Sequence, residues 1–128
     1  MIEVAVGILK QNGSVLLCQR KGSVQYPFQW EFPGGKLETG ESPVDCLKRE
    51  LREELSIVIG AARLFHREAT LYPASGHFDV HYFLVEEFAG VPQNNCFEQI
   101  AWVRLSDLPS YDNLEGNRRV IDLLTSNG

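Results

Sequence analysis

Three glutamates and two arginines crowd one short stretch, RELREEL at 49–55, which follows the glycine pair Gly34-Gly35 and a polar loop. At about 100° per residue, Val44, Leu47, Leu51 and Leu55 fall on one narrow stripe, so the stretch is predicted as a helix packed by that stripe against a sheet. Glu50 and Glu54 then stand one turn apart on a flank, with Glu53 beside them. Like charges so close repel by roughly a few tenths of a kcal/mol per exposed pair unless something positive sits among them. A cluster of oxygen ligands suits Mg2+, or Mn2+, better than zinc or copper. Taken alone, the helix also reads as a solvated face on which Arg49 and Arg52 balance the glutamates. The preceding loop adds chemistry to it. Gly34 and Gly35 let backbone groups approach a ligand closely, Lys36 offers a charge for phosphate, and Glu41 adds a carboxylate at the helix entrance.

The elements that must position these groups are readable from pattern. Val4, Val6 and Ile8 alternate, QNGS is a turn, and SVLLCQR resumes an extended run, which together predict a hairpin. KGSVQYP is loop, WEF is a short strand, and GGKLETGES is predicted as loop. Ser42 suits a helix N-cap, Pro43 the first helical position and Asp45 the first turn. Three later segments, VIGAARLFHREATLY, HFDVHYFLVEEF and QIAWVRL, are β-branched and aromatic and read as strands of a mixed sheet, with Gly90-Val91-Pro92 as punctuation. SDLPSYDN reads as a turn, and 114–124 as a closing helix with Val120, Leu123 and Leu124 inward.

Composition narrows the function. At 128 residues, 44% of them hydrophobic, the chain suits one domain spanning 1–128. Twelve Lys and Arg against 17 Asp and Glu give a net charge of -5, which argues against binding duplex nucleic acid by phosphate neutralisation. A polyanionic substrate would need a cation as intermediary. Cys18, Cys46 and Cys96 have neither zinc spacing nor a disulfide framework, so a reducing cytoplasm is expected. The apolar start carries Glu3 and reads as a strand, and no stretch approaches membrane-spanning length. His66, His77 and His81 have no metal-site spacing, and Trp30 and Trp102 read as core or sheet-edge aromatics.

Gly35, Glu41, Arg49-Glu50-Leu51, Glu53-Glu54 and Ile57 resemble the signature box of the Nudix hydrolase family at every position but one, where the usual glycine is Ser56. The order of strands, box helix, further strands and terminal helix is also similar to a complete Nudix domain. The resemblance implies an α/β (α+β) fold with a mixed sheet sandwiched between helices. It further implies hydrolysis of a nucleoside diphosphate linkage with Mg2+. By similarity, Glu50, Glu53 and Glu54 are the expected metal ligands, with the Gly34 carbonyl as a further one. Arg49 would hold a neighbouring glutamate, and the general base would be Glu50 or Glu98. Serine at 56 is expected to cost little unless positive φ is required there.

Within the family, WEFPGGKLETGE looks most like the MutT-type nucleoside triphosphate pyrophosphohydrolases, which remove oxidised nucleotides such as 8-oxo-dGTP. That resemblance implies Arg20 as a substrate contact and Asn117 as a base-reading amide; Lys36 joins Arg20 as a phosphate contact by its charge, and Phe32 and Phe78 are candidates to line a base pocket. An amide presents a donor and an acceptor, and so can tell the N7-H of an oxidised purine from a bare N7. Asn117 can equally be read as a helix N-cap. Gly76 stands where a second MutT-type arginine is expected. CTP-preferring or broad-specificity pyrophosphohydrolases, Nudix hydrolases of other diphosphates, and a non-catalytic module reading 8-oxoguanine are the alternatives. Readers of that last kind generally lose the box carboxylates, whereas all are present here. A small nucleotide substrate and a monomer or weak dimer are expected.

Overall fold

The computed structural model describes residues 1–126. Strands β1 (Ile2–Gln11) and β2 (Ser14–Gln19) form the expected hairpin. Asn12 and Gly13 close it with φ of 53° and 78°, left-handed conformations that an Asn-Gly pair adopts at low steric cost. Strand β3 (Trp30–Glu31) pairs with β2, and β4 (Gly34–Lys36) lies antiparallel on β1. Helix α1 spans Pro43–Leu55. After it come β5 (Val58–Ile59), β6 (Ala62–Tyr72), β7 (Gly76–Val85), β8 (Phe88–Ala89), β9 (Gln99–Arg104) and helix α2 (Arg118–Ser126). The main sheet runs β3-β2-β1-β7-β6, with β4 also on β1 and β9 also on β2, while β5 and β8 make a small separate pair. Among the strand pairs of the described residues, β1 and β7 alone run parallel, from Ile2 opposite Phe78 to Leu9 opposite Val85, so the sheet is mixed.

Period-two alternation along β1 feeds two cores. Val6 and Ile8 join Val80, Tyr82, Val120, Ile121 and Leu124 on the α2 face. Ala5 and Leu9 join Cys46, Leu47, Leu51 and Leu55 on the α1 face. The sheet is therefore sandwiched between helices, as expected. Burying each leucine of α1 contributes roughly 1.5–3 kcal/mol, which ties the helix firmly to the sheet. The helix start is as read: Pro43 opens it, and the Asp45 amide donates to Ser42 Oγ at 3.1 Å.

Four local expectations are corrected. Gly34–Lys36 is not loop but strand β4, because the long neighbour β1 offers it a backbone ladder that composition cannot reveal. The turn region begins with a 3-10 helix over Leu105–Ser110, which buries Leu108. The closing helix starts only at Arg118, after a separate 3-10 turn at Glu115–Asn117. In that helix Ile121 is buried and Leu123 only half-buried, so Ile121 rather than Leu123 accompanies Val120 and Leu124 inward.

Ser56 ends α1 in the left-handed conformation, φ 57° and ψ 35°, which costs a residue with a side chain about 1 kcal/mol relative to glycine. Positive φ is therefore required at this position. The serine gains something in return. The Asn95 side-chain NH2 donates to Ser56 Oγ at 2.9 Å and to Glu53 O at 3.0 Å. The Asn95 and Gln93 amides donate to Glu54 O and Leu55 O. The loop before β9 thus supplies donors for carbonyls that a helix end leaves free.

Candidate active site

Packing α1 on the sheet through its leucines turns Glu50 and Glu54 toward β4. Gly34 has φ +151°, and a Cβ there would lie 2.2 Å from Ala5 O, so only glycine lets the chain press onto β1 at this point. Its amide then donates to Glu54 Oε1 at 3.0 Å. A Cβ on Gly35 would lie 2.4 Å from the Glu50 carboxyl carbon. The glycine pair therefore forms a cradle in which two carboxylates sit against backbone.

Arg49 gathers the remaining acids. Its guanidinium reaches Glu41 at 2.8 Å, Glu38 and Glu50 at 2.9 Å, and Glu53 at 3.5 Å, and donates to Lys36 O at 3.2 Å. Arg49 holds Glu41 down to about 2, chiefly through its hydrogen bonds. Glu54 moves the opposite way: burial first, and then the charge of nearby Glu50, push it up to about 9. Glu53 remains 59% exposed on the outer side of the same turn.

The donor set fits a hard divalent ion. Glu50 and Glu54 are half-buried side by side against glycine backbone, and their mutual repulsion is what such an ion would relieve. A second acidic group, Glu3, Asp79 and His81, does not fit in the same way. Arg67 already grips both Asp79 oxygens at 2.9 and 2.6 Å, and His81 faces Glu3 at 3.3 Å.

A cavity of about 310 Å³ opens from Glu54 and the glycine pair onto the α2 face of the sheet. Arg20, Lys36, Glu31 and Glu54 line its charged end, and Phe32, Phe78, Val80 and Tyr82 line its apolar end, with Asn117 beside them. All five substrate contacts expected from sequence are thus brought to one cavity. Arg20 is held by Glu31 at 3.1 Å and by Gln25 O at 2.8 Å. Burial holds Glu31 above the usual carboxylate range against that pairing. Over the mouth, Tyr26 meets Tyr72 edge-on and Ser75 Oγ donates to Gln25 Oε1 at 2.6 Å.

Glu98 is not brought in: it is exposed at the start of β9 and absent from the cavity lining. Asn117 makes no N-cap hydrogen bond among those of the described residues. Its side chain instead meets Tyr82. Sequence reasoning missed Glu31, Tyr72 and Tyr82. For Tyr82 a signal existed, since Phe78, Val80 and Tyr82 share one face by period-two alternation.

Fold and site together define a class. A family model described as NUDIX domain matches residues 1–124, and the chain belongs to the Nudix hydrolase family. Over 125 residues it is 34% identical to an 8-oxo-dGTP diphosphatase of Haemophilus influenzae, covering 97% of this chain and 91% of that one. It is also 36% identical over 105 residues to a CTP pyrophosphohydrolase of Escherichia coli, covering 80% of this chain and 75% of that one. Among solved structures, the E. coli ORF135 protein superposes with a TM-score of 0.87 at 28% identity, covering 98% of this chain and 89% of that one. A MutT Nudix hydrolase from Burkholderia pseudomallei gives 0.87 at 25% identity, with 94% and 95% covered. Nudix hydrolases generally need a divalent metal.

The cradle yields a direct prediction. Gly35→Ala places a methyl group against the Glu50 carboxyl, which is the movable end of a side chain and must turn away. Mg2+ affinity, read by titration of thermal stability, is expected to fall about tenfold or more. The metal-free melting temperature should change little. Unchanged affinity would show that Glu50 takes no part in holding the ion.

Proposed function

We propose that the protein hydrolyses nucleoside triphosphates to a nucleoside monophosphate and pyrophosphate, with oxidised purine nucleotides such as 8-oxo-dGTP as its preferred substrates. The observation that carries this reading is a cavity joining the box carboxylate Glu54 and the Gly34-Gly35 pair to an apolar pocket beside a buried amide, Asn117. Similarity to the 8-oxo-dGTP diphosphatase over nearly the whole of both chains supports it.

Glu50, Glu53 and Glu54, with the Gly34 carbonyl, would hold Mg2+, or Mn2+ in its place. The ion, when bound, neutralises phosphate charge and lowers the pKa of water. The chain's own residues do the rest. Lys36 and Arg20 hold the triphosphate at the charged end of the cavity. Phe32 and Phe78 enclose the base, and Asn117 reads its edge. Arg49 fixes Glu50 through Oε1 beside Glu54 and the Gly35 backbone, and we take Glu50 in that place, rather than the exposed Glu98, as the general base for the attacking water. The net charge of -5 fits a free nucleotide rather than duplex nucleic acid. No helix among the described residues is long and apolar enough to cross a membrane. We place the enzyme in the cytoplasm, with its nucleotide pool, as a monomer or weak dimer.

Similarity to the CTP pyrophosphohydrolase, and Gly76 at the expected site of a second arginine, favour a broader pyrophosphohydrolase as the second reading. Steady-state rates with 8-oxo-dGTP, dGTP and CTP separate the two. The first reading expects 8-oxo-dGTP to lead, and Asn117→Ala to lower its advantage over dGTP by about tenfold to a hundredfold. Preference for CTP, or equal rates with the two guanine nucleotides, would overturn it in favour of the second.

A further inference from the structure

Asn117 can read a base only if its amide is held one way round. An amide that flips presents donor and acceptor in either order, and so distinguishes nothing. What fixes it lies on β7. The Tyr82 hydroxyl has one proton and two acceptors within reach, Asn117 Oδ1 at 2.7 Å and the Gly116 carbonyl at 3.1 Å, and the nearer oxygen, Oδ1, makes the shorter bond. A phenol proton facing the amide is matched by Oδ1 and opposed by the NH2 group.

The tyrosine itself cannot move aside. Tyr82 is fully buried, with Phe32 packed edge-on against its ring at 6.1 Å between centroids. Its backbone is locked in the ladders to β1 and β6. Burial holds its pKa well above the ordinary phenol value, so the hydroxyl keeps its proton at any working pH.

A second tyrosine grips the same turn from β6, where the Gly116 amide donates to the Tyr72 hydroxyl at 2.7 Å. A Cβ on Gly116 would lie 2.5 Å from that hydroxyl, so the turn sits directly against it. The two strands therefore hold the Gly116-Asn117 turn at its amide, near its carbonyl and at its side chain.

We infer that Tyr82 is the positioning residue for base recognition: its hydroxyl sets the Asn117 amide with Oδ1 beside β7 and Nδ2 turned away, which fixes the order of acceptor and donor shown to the base. Oδ1 retains a second lone pair for a donor on the base, and Nδ2 remains for an acceptor. A purine edge carrying an N-H next to a carbonyl oxygen matches that order. This inference rests on the assignment of Asn117 as the base-reading residue.

The test is a panel of kcat/KM values for 8-oxo-dGTP, dGTP, dATP and CTP, with wild type, Tyr82→Phe, Asn117→Ala and the double variant. Tyr82→Phe removes one oxygen and keeps the ring. It is expected to reduce the wild type's base preference about tenfold, through KM rather than kcat, with Mg2+ dependence unchanged. In the Asn117→Ala background it should have no further effect on that preference. A wild type that prefers another base, with the preference still erased by Tyr82→Phe, sinks the oxidised-purine reading and leaves this inference standing. A preference for 8-oxo-dGTP that survives Tyr82→Phe, or effects that add in the double variant, would overturn the inference alone. No base preference in the wild type would overturn both.

Discussion

Glu54→Gln is expected to lower turnover by roughly a thousandfold while making the metal-free protein more stable at neutral pH. The two effects share one cause. Removing a ligand carboxylate forfeits several kcal/mol of transition-state charge stabilisation, at about 1.4 kcal/mol per tenfold in rate. Glutamine keeps an oxygen to accept from the Gly34 amide, so the helix and β4 stay joined. In the metal-free wild type, burial and Glu50 raise the Glu54 pKa from 4.5 to about 9. A group whose folded pKa lies above its unfolded value binds more protons when folded, so its contribution to stability is complete below 4.5 and is lost as pH rises toward 9. Glutamine carries no such penalty. Melting curves across this range, with and without Mg2+, check the account. The wild type should lose stability as pH rises without metal and regain it with Mg2+, whereas in Glu54→Gln both dependences should be clearly weaker. Near-normal turnover of the variant at saturating Mg2+ would remove Glu54 from the machinery.

Arg49→Ala is expected to cost about ten- to a hundredfold in activity, the usual effect of removing a group that orients ligands, and to lower the melting temperature as well. One guanidinium lies within 3.5 Å of four carboxylates and also donates to Lys36 O. Without it Glu50 loses its orientation and the 36–41 loop loses its tie to α1. Arg49→Lys should recover little, because a single ammonium cannot span that spread of partners. The acid limb carries its own signature. Glu41 is held at about 2 by Arg49, so its contribution is present above 4.5 and is lost as pH falls toward about 2. In Arg49→Ala that slope should flatten. A variant with wild-type activity and an unchanged acid limb would make the cluster a surface ion network without a catalytic part.

Legibility in the sequence followed the range of the forces involved. The start of α1 was readable because Ser42, Pro43 and Asp45 act within one turn of themselves. The hairpin at Asn12-Gly13 was readable for the same reason. The box carboxylates, Lys36, Phe32 and Phe78 were read from residue chemistry, whereas Arg20 and Asn117 were reached through family resemblance, and folding brings the five contacts Arg20, Phe32, Lys36, Phe78 and Asn117 to one cavity. What escaped depends on partners distant in sequence. Strand β4 exists because β1, some thirty residues earlier, offers it hydrogen bonds. The place of Asn117 is set by Tyr82, 35 residues before it. Ser56 was recognised as a departure from the box, but the Asn95 contact that accompanies it comes 39 residues later. Glu98, suggested by resemblance, lies exposed just before β9, away from the Arg49 cluster that gathers Glu50 and Glu53.

The products of 8-oxo-dGTP hydrolysis, followed by phosphorus NMR with Mg2+ and again with a chelator, test the central claim most directly. If Lys36 and Arg20 hold the triphosphate beside the carboxylates, as proposed, pyrophosphate leaves as one unit. The expected result is 8-oxo-dGMP and pyrophosphate in equal amounts, formed only when Mg2+ is present. Formation of a nucleoside diphosphate with inorganic phosphate, or hydrolysis that persists undiminished in the chelator, would contradict it.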